Sequence, residues 1–533
     1  MDYHTNVKIP ISSAYGLDLL LALVVAAIVV TIHGPVVTQG LAVGDEGYLV
    51  QGIQRLLEGE VLYRDFDRNY MPGVYYTFVP LFHWFGSDLL ITRFVWLVWL
   101  SLLCAGSYLL LRPHVPRRFA ALAALLVALA SAPIHKTFVP ATVVAGLFCC
   151  RALLATRVSF LRALAVGLVL GLASLFRQET AAFSVAIAAG TLLFKNLPSR
   201  RLRQLRAQAG GLAVGIVLVW LPVAIPLAVS GAFGPMFKQV VLSASAVNAV
   251  LALPYPSPFD RWSALPFYFP SVLAVLGIGL SVGAWVRNRF RILDALVLQW
   301  AAASVLLHTV VMQRSDSAHL RQMLVPSTLI LIVVLARAWR GSWDSEARPS
   351  ARRTARVGLV AATVAVLGLA RWGIAETVEP AYRGMGEAVL LNESRARVSV
   401  GPELAGEVNQ LLALIREHTR EGDPIFIAPY GAIYYFIGGR SNPTRQDLVF
   451  PGYSSTDEKQ RELRDRLEQA RVQLVLIWNV DFDGREEFRF LSYATVLDEY
   501  LENRFRRVPV VGEWELFVRR EPGLEQFDQL ELE

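Results

Sequence analysis

Residues 44–59 read GDEGYLVQGIQRLLEG and residues 63–73 read YRDFDRNYMPG, and a long apolar run lies on either side of this polar stretch. Apolar residues in its first part recur at three- and four-residue spacing, which predicts an amphipathic helix that Asp45 caps and Gly59 ends. We expect such a helix to lie on a membrane surface. Because carboxylates are costly in lipid, Asp45 and Glu46 are expected to face a wet cavity, and function should be sought there first.

The composition is that of a membrane protein. Apolar residues make up 54% of the 533 residues and charged residues only 18%. The formal net charge of +7 comes from basic residues in short clusters between apolar runs, a pattern that indicates membrane orientation and not binding to nucleic acid. The three cysteines, Cys104, Cys149 and Cys150, lie inside apolar runs, so the sequence predicts neither a disulfide framework nor a thiolate metal site.

Apolar runs predict about eleven membrane spans and hence an α-helical polytopic membrane protein. The first run covers 17–37, where a cleaved signal peptide is the alternative; the run is longer than a typical signal core, and a single basic residue, Lys8, precedes it. The other runs lie near 91–111, 119–133, 138–155, 161–176, 181–194, 210–229, 264–286, 292–312, 320–339 and 357–373.

The loops between these runs predict their orientation, since short cytoplasmic loops are enriched in Lys and Arg. A cytoplasmic N-terminus places every strongly basic loop on the inner side, namely 112–118, 151–162, 195–206, 287–291 and 337–356. The 38–90 loop, the Lys136 turn, the corner at 177–179, the loop at 230–263 and the turn at 314–321 then lie outside. The 230–263 loop is rich in proline and aromatic residues, Trp262 among them, and is expected to lie at the interface and to shape an acceptor or lipid groove.

From about Pro402 the composition changes to that of a soluble domain. Residues 424–429 and 472–478 are predicted to be buried strands, 457–470 a charged amphipathic helix, and 508–511 with 514–519 a closing hairpin. We therefore predict a transmembrane domain at 1–375 with its first outer loop at 38–90, a linker at 376–401, and an extracytoplasmic α/β domain at 402–533.

Several of these features together resemble a known superfamily: the Asp45-Glu46 start of the first outer loop, the interfacial helix, the Tyr70-Met-Pro-Gly73 turn and the many-spanning body with an outward C-terminal domain. They resemble the GT-C glycosyltransferases, which use polyprenyl-phosphate sugars, and within them the bacterial aminoarabinose transferases and protein O-mannosyltransferases. The resemblance covers the membrane part, 1–375. It implies inverting transfer of a sugar from a polyprenyl-phosphate donor to a glycan, lipid or protein acceptor at the outer face of the bacterial inner membrane.

The resemblance also implies roles for individual residues. It makes Asp45 the candidate base, with Glu46 as its partner, because an acceptor hydroxyl must lose a proton as it attacks the anomeric carbon. The lipid phosphate that leaves needs cationic partners near the membrane surface. The expected donor-binding set consists of ionisable residues at the outer ends of spans and one tyrosine: Arg177, Glu179, Arg314, Asp316, His319, Arg321 and Tyr70.

Simpler interpretations stand beside these roles. Asp45 could be only a helix cap, Glu46 could serve only the helix dipole, and Arg177 with Glu179 could be an internal ion pair. The charges at 64–68 could bind substrate or a divalent cation, but solvated loop charges are the preferred interpretation. His319 with Asp316 would be a weak metal site, so no cofactor is firmly expected and a divalent cation stays open.

Two other function classes remain as alternatives. One is a transporter or flippase of lipid-linked sugars, which would need polar groups throughout its spans, whereas these spans are largely apolar. The other is a non-catalytic membrane scaffold whose outer domain binds a partner. It predicts that Asp45 is dispensable and that 402–533 is essential.

Overall fold

The computed structural model describes residues 13–131, 134–198, 200–243, 249–259, 264–452, 454–508 and 512–520. Lys8, Trp262 and residues 509–511 of the predicted hairpin lie outside these residues. Contacts divide the chain into two compact units. The first unit comprises Met1–Val37, Val95–Val217 and Tyr255–Pro380, and the second comprises Thr38–Phe94, Leu218–Pro254 and Ala381–Glu533.

The first unit is built from helices. They are Ser13–His33, Arg117–Leu129, Phe138–Leu153, Phe160–Ser174, Gln178–Asn196, Leu265–Val286, Ile292–Gln313, Ser317–Met323, Val325–Ser342 and Pro349–Gly373. Two further helices, Leu89–Leu111 and Leu202–Val229, are each divided between the two units. Short turns lie at Ile134–Lys136 and Ile374–Val378, and two short elements, the turn Pro35–Thr38 and the helix Glu379–Arg383, begin in the first unit and end in the second.

Where the structure describes them, the apolar runs predicted as spans are largely helical, and the protein is an integral membrane protein. Within the described residues, seven helices are long and apolar enough to cross a membrane: Tyr15–Thr38, Leu89–Leu111, Leu202–Val229, Leu265–Val286, Ile292–Gln313, Val325–Ser342 and Pro349–Arg383. Phe138–Leu153 and Phe160–Ser174 are apolar but shorter. The predicted number of about eleven spans exceeds these seven by the runs 119–133, 138–155, 161–176 and 181–194. The first three of these form helices of only 13, 16 and 15 residues, which are shorter than the length that crosses a bilayer.

Close helix packing and buried ion pairs stabilise the first unit. A Cβ added at Gly167 would lie 2.2 Å from the carbonyl oxygen of Leu212, and one at Gly215 would lie 2.3 Å from that of Leu164. The two glycines therefore let the helices Phe160–Ser174 and Leu202–Val229 pack backbone against backbone. Close packing through small residues is common between helices in membranes. Asp294 also binds Arg337 across two helices at 2.6 Å.

The second unit combines short helices with two sheets. Its helices are Asp45–Leu57, Gly73–Tyr76, Val79–Phe85, Phe233–Phe237, Pro402–His418, Ile433–Gly438, Asp457–Gln469, Phe490–Tyr493 and Thr495–Arg504, with a π-turn at Lys238–Leu242. Strands β1 (Val389–Leu390) and β2 (Ser399–Val400) form a small antiparallel pair. A four-stranded sheet contains β3 (Phe426–Ala428), β4 (Leu474–Trp478), β5 (Phe505–Val508) and β6 (Trp514–Arg519), in the order β3-β4-β6-β5.

The four-stranded sheet confirms the predicted α/β character of the C-terminal region. Strands β3 and β4 are parallel, whereas β6 pairs antiparallel with both β4 and β5. The predicted helix at 457–470 forms as Asp457–Gln469, and its Leu463 and Leu467 pack with Phe426, Val475 and Ile477 in one buried cluster. The hairpin begins earlier than predicted, at Phe505, because β5 follows directly on the Thr495–Arg504 helix.

Contacts in the second unit join parts of the chain that are far apart in sequence. Residues 38–94 and 218–254 belong to the same unit as the C-terminal residues 381–533. The domain boundaries predicted from composition, 1–375, 376–401 and 402–533, remain a prediction. The predicted linker contains the paired strands β1 and β2.

Candidate functional site

The helix that carries the candidate base begins at Asp45, and Gly44 precedes its first turn. The prediction that Asp45 caps this helix is therefore wrong, because a capping side chain belongs to the residue before the first helical one. Asp45 is half-buried. A carboxylate at this position is still stabilised by the positive end of the helix dipole.

The predicted end of the same helix is confirmed. Gly59 has a φ of +93°, a backbone conformation that favours glycine. The Gly59 N–H donates to the Leu56 carbonyl at 3.1 Å, and the Glu60 N–H donates to the Arg55 carbonyl at 3.0 Å. This pair of bonds is the Schellman motif, which satisfies carbonyls that the helix end would otherwise leave open.

Glu46 forms a buried ion pair. Arg93 donates to both of its carboxylate oxygens, from Nε at 2.7 Å and from Nη2 at 2.6 Å. Both side chains are almost fully buried, and Arg93 also donates to the carbonyls of Gln39 and Gly40 at 3.0 and 2.8 Å. Glu46 in turn accepts from the Ala42 N–H at 3.0 Å. Glu46 thus fixes the chain just before the helix to the Leu89–Leu111 helix.

Protein covers the apolar face of the Asp45–Leu57 helix. Tyr48, Leu49 and Ile53 are all buried. A Cβ added at Gly47 would lie 2.3 Å from the backbone nitrogen of Ile433, so the helix packs directly on the Ile433–Gly438 helix. The apolar spacing of this helix therefore serves a protein core, and its location at a membrane surface stays a prediction.

A second buried network joins the first loop to the C-terminal region. Arg68 donates to one oxygen of Asp447, and Arg55 donates to the other at 3.2 Å. Asn442 also donates to Asp447, at 2.6 Å. Burial alone would raise the pKa of the Asp447 carboxyl, but the charges of Arg68 and Arg55 outweigh it and hold that pKa below its usual value. Sequence reasoning missed Asp447, because nothing in its local pattern indicates a buried position.

Aromatic rings complete the surroundings of Arg68. Its guanidinium carbon lies 4.4 Å from the centre of the Tyr48 ring and 4.6 Å from that of Phe66. Such cation–π contacts are strengthened where water is excluded. The interpretation of Arg68 as a solvated loop charge is wrong, since the side chain is fully buried.

The neighbouring loop charges differ in exposure. Arg64 pairs with Asp65 at 2.8 Å, with the Arg64 side chain 47% exposed and that of Asp65 32% exposed, as expected for solvated loop charges. Asp67 instead binds Arg445 at 2.7 Å and accepts from Gln239 at 2.9 Å. Among the described residues, no group of three or more His, Cys, Asp or Glu side chains is arranged to hold a metal ion.

Tyr70 lies beside the helix of the candidate base. Its ring meets that of Tyr48 edge-on at 6.2 Å, and its carbonyl accepts from the Tyr63 hydroxyl at 2.7 Å. The side chain is half-buried. A substrate contact from Tyr70 stays a prediction.

The remaining predicted residues lie in the first unit. Arg177 and Glu179 form the ion pair that was the simpler interpretation, with 2.8 Å between Nε and Oε2. Both side chains retain some exposure, at 15% and 29%. Their predicted role in donor binding is untested.

Asp316 organises the turn between two spans. It caps the Ser317–Met323 helix by accepting from the His319 N–H at 2.7 Å, and its carboxylate also contacts His319 Nδ1 at 2.8 Å. Arg314 lies 3.0 Å away on the other side. Burial opposes ionisation of Asp316, but the bonds to His319 and the Arg314 charge prevail and lower its pKa to about 2.

Arg321 follows on the same short helix and is only 8% exposed. Its Nη1 donates to the Thr377 hydroxyl at 2.8 Å and to the Glu376 carbonyl at 3.1 Å. Its Nε has no hydrogen-bond partner within the described residues. Burial lowers the pKa of the guanidinium, as expected for a cation held out of water.

The structure thus places Asp45, Glu46 and Tyr70 in the second unit. It places the ionisable residues of the expected donor site in the first unit, in two groups: 177–179 and 314–321.

Comparison with known proteins gives structural matches only. The chain matches no known family profile, and no curated protein matches it in sequence. ArnT from Cupriavidus metallidurans in the apo state aligns with a TM-score of 0.54 at 15% identity, over 95% of this chain and 98% of ArnT. ArnT bound to undecaprenyl phosphate aligns with a TM-score of 0.50 at 16% identity, over 96% and 98% of the two chains.

A third solved structure is the oligosaccharyltransferase AglB from Archaeoglobus fulgidus, in complex with an inhibitory peptide and a dolichol-phosphate. It aligns with a TM-score of 0.49 at 14% identity, over 94% of this chain and 74% of AglB. At these identities the likeness concerns the fold, and the ArnT alignments extend over nearly the whole of both chains. This chain therefore has a fold like that of ArnT, a helical membrane body with a C-terminal α/β region, as the resemblance in the sequence implied.

Proposed function

We propose that this protein is an inverting glycosyltransferase that moves a sugar from a polyprenyl-phosphate-linked donor to an acceptor at the outer face of the bacterial inner membrane. The observation that carries this proposal is the two-way coverage of the ArnT alignment, 95% of this chain and 98% of ArnT, which leaves no large part of either fold unmatched. ArnT also binds undecaprenyl phosphate in a solved structure. The N-terminus would be cytoplasmic and the C-terminal region extracytoplasmic.

Asp45 is the proposed base. The acceptor oxygen attacks the anomeric carbon and forms the new glycosidic bond, while the bond from that carbon to the phosphate oxygen breaks and polyprenyl phosphate leaves with its electron pair. The Asp45 carboxylate takes the proton of the acceptor hydroxyl. Asp45 suits this role better than Glu46 because it keeps access to solvent, whereas Glu46 is 1% exposed and held at both oxygens by Arg93.

Glu46 would support the reaction indirectly. Its bonds to Arg93 and to the Ala42 N–H fix the backbone on the N-terminal side of Asp45. A base that must meet an acceptor hydroxyl at hydrogen-bond distance benefits from such a fixed backbone. We therefore propose Glu46 as a positioning residue.

The leaving phosphate would be bound by the cations of the first unit. Arg321 is well suited, because its guanidinium is buried and its Nε, which has no partner among the described residues, can offer a strong donor to an anion. Arg177 and Arg314 are the further candidates. Asp316 would orient Arg314, and His319 would hold Asp316 in place.

The test compares wild-type protein with Asp45→Asn in reconstituted vesicles, following release of polyprenyl phosphate from a panel of lipid-linked sugars. We expect a loss of about 10²–10⁴-fold in the variant, the usual contribution of a general base. Asp65→Asn is the matched control, since Asp65 is a partly exposed carboxylate of the same loop. Full activity in Asp45→Asn would exclude Asp45 as the base, and no turnover of any donor by the wild type would favour a transporter or a scaffold.

A further inference from the structure

We propose that an aromatic cluster in the second unit is the acceptor-binding surface and that it takes a neutral saccharide. The cluster, hereafter the aromatic platform, consists of Tyr430, Tyr434, Phe450, Trp478, Phe482 and Trp514. This proposal rests on the proposed function and adds to it the chemical class of the acceptor.

The six rings form a continuous series. Tyr430 meets Phe450 at 5.1 Å and Phe482 at 5.8 Å between ring centres. Phe482 meets Trp478 at 6.0 Å, and Trp478 stacks on Trp514 at 5.7 Å with only 8° between the ring planes. These spacings are those of favourable aromatic pairs, so the rings support one another as a rigid surface.

The platform contains both buried and partly exposed rings. Tyr434 and Trp514 are buried, and Trp514 is held by a 2.9 Å hydrogen bond from its indole N–H to Glu407. Tyr430, Trp478 and Phe482 remain partly exposed. Aromatic rings that are backed by buried rings but still open to solvent can contact a ligand without rearrangement, which lowers the entropic cost of binding.

The platform begins beside the candidate base. A Cβ added at Gly44 would lie 1.7 Å from the Tyr430 ring, so this ring rests directly on the backbone of the residue before Asp45. A molecule that stacks on the exposed rings would therefore have hydroxyl groups close to the start of the Asp45–Leu57 helix. If Asp45 is the base, an acceptor is required near this position.

The polar surroundings indicate a saccharide without phosphate. Phe482 lies in a segment with four exposed carboxylates, at Asp481, Asp483, Glu486 and Glu487. The two cations of this segment are both engaged within the protein. Arg485 donates to the carbonyls of Val250 and Ala252 at 3.1 and 2.7 Å. Arg489 donates to the Asn479 carbonyl at 3.2 Å and lies 4.0 Å from Asp481, so Glu486 and Glu487 have no cation of the segment within ion-pair distance among the described residues. An acidic rim repels anionic ligands, whereas carboxylates readily accept hydrogen bonds from sugar hydroxyls and aromatic faces attract the C–H groups of a sugar ring.

The proposal is tested by saturation-transfer NMR with the full-length reconstituted protein. The probes are neutral hexasaccharides of glucose, galactose, mannose and arabinose, a phosphate ester of whichever of these binds best, and a short polyprenol. We expect at least one neutral hexasaccharide to bind through its ring C–H protons, and the phosphate ester to bind more weakly. Phe482→Leu should weaken binding by up to about tenfold, the value of one aromatic contact, while Phe482→Tyr should restore it.

Trp84→Ala is the matched control, because Trp84 is a 72% exposed aromatic residue of the same unit outside the platform. Binding of no neutral saccharide, equal binding of the phosphate ester, displacement by polyprenol, or equal binding in Phe482→Leu would each overturn the platform. Release of polyprenyl phosphate is measured separately. Saccharide binding that depends on Phe482 in a protein without turnover would support the platform while refuting the transferase.

Discussion

Arg93 donates a hydrogen bond to each carboxylate oxygen of Glu46, at 2.7 and 2.6 Å. Both side chains are almost fully buried. This relationship gives two adjacent acidic residues different surroundings. Glu46 belongs to the framework that holds the first loop in place, and Asp45 remains the carboxylate with access to solvent.

Glu46→Gln should therefore act on stability. Removing one partner of a buried ion pair leaves the other charge uncompensated, which costs about 3–5 kcal/mol in comparable cases. Thermal unfolding in detergent measures the effect, with Glu58→Gln, at the exposed residue that follows the last residue of the same helix, as the control. A second change, Arg93→Gln, should recover part of the lost stability, because it removes the unpaired charge. A stable but inactive Glu46→Gln variant would instead place Glu46 in the chemistry.

Gly47→Ala should loosen the packing of the Asp45–Leu57 helix. The added Cβ would lie 2.3 Å from the Ile433 nitrogen, a backbone atom that cannot move aside cheaply. We expect a loss of about 1–3 kcal/mol from overpacking, read as a lower midpoint of thermal unfolding. Gly406→Ala is the control, since nothing lies within 4 Å of its added Cβ and alanine favours the helix there by up to about 1 kcal/mol. Equal stability of the two variants would contradict the close helix contact.

Asp447→Asn should uncouple the first loop from the C-terminal region. The change leaves Arg68 and Arg55 buried without their shared anion, so we expect protease cleavage in 60–73 to become faster as well as a loss of stability. Asp465→Asn, at a carboxylate that is 66% exposed, should have neither effect. Unchanged cleavage in Asp447→Asn would show that the loop is held by other contacts.

Stability should depend on pH through Asp316. Its pKa is lowered from 3.8 to about 2, so its ionised form stabilises the folded protein above pH 3.8. That contribution is lost as the pH falls from 3.8 towards about 2, where the folded protein takes up the proton as well. Asp316→Asn should flatten the pH dependence of thermal unfolding in this range, whereas Asp344→Asn, at an exposed loop carboxylate, should leave it unchanged.

Arg321→Ala and Arg177→Ala should weaken use of the donor more than folding. Loss of a charge-assisted bond to phosphate is expected to raise the KM for the lipid-linked sugar, at a cost of about 1.5–3 kcal/mol per bond. Initial rates measured across donor concentrations give the KM. The control is Arg371→Ala, because Arg371 is a 66% exposed arginine of the same unit. Normal donor affinity in the first two variants would remove both residues from the donor site.

The sequence alone determined the features that depend on local pattern and composition. Apolar runs predicted the helices of the membrane part, because length and hydropathy are properties of the segment itself, whereas the helices Pro402–His418 and Thr495–Arg504 were not predicted. Gly59 marked the end of its helix for the same reason, since a positive φ is a local demand. The strands at 426–428 and 474–478 and the helix at 457–469 followed from spacing and composition.

The tertiary structure decided which surfaces those elements meet. The spacing that predicted a helix on a membrane surface is equally compatible with one buried against Ile433, since periodicity shows that a face is apolar but not what covers it. Arg68 and Asp447 are 379 positions apart in the sequence, so only folding could reveal that one neutralises the other. The different surroundings of Asp45 and Glu46 likewise depend on Arg93, which is 47 positions from Glu46 in the sequence.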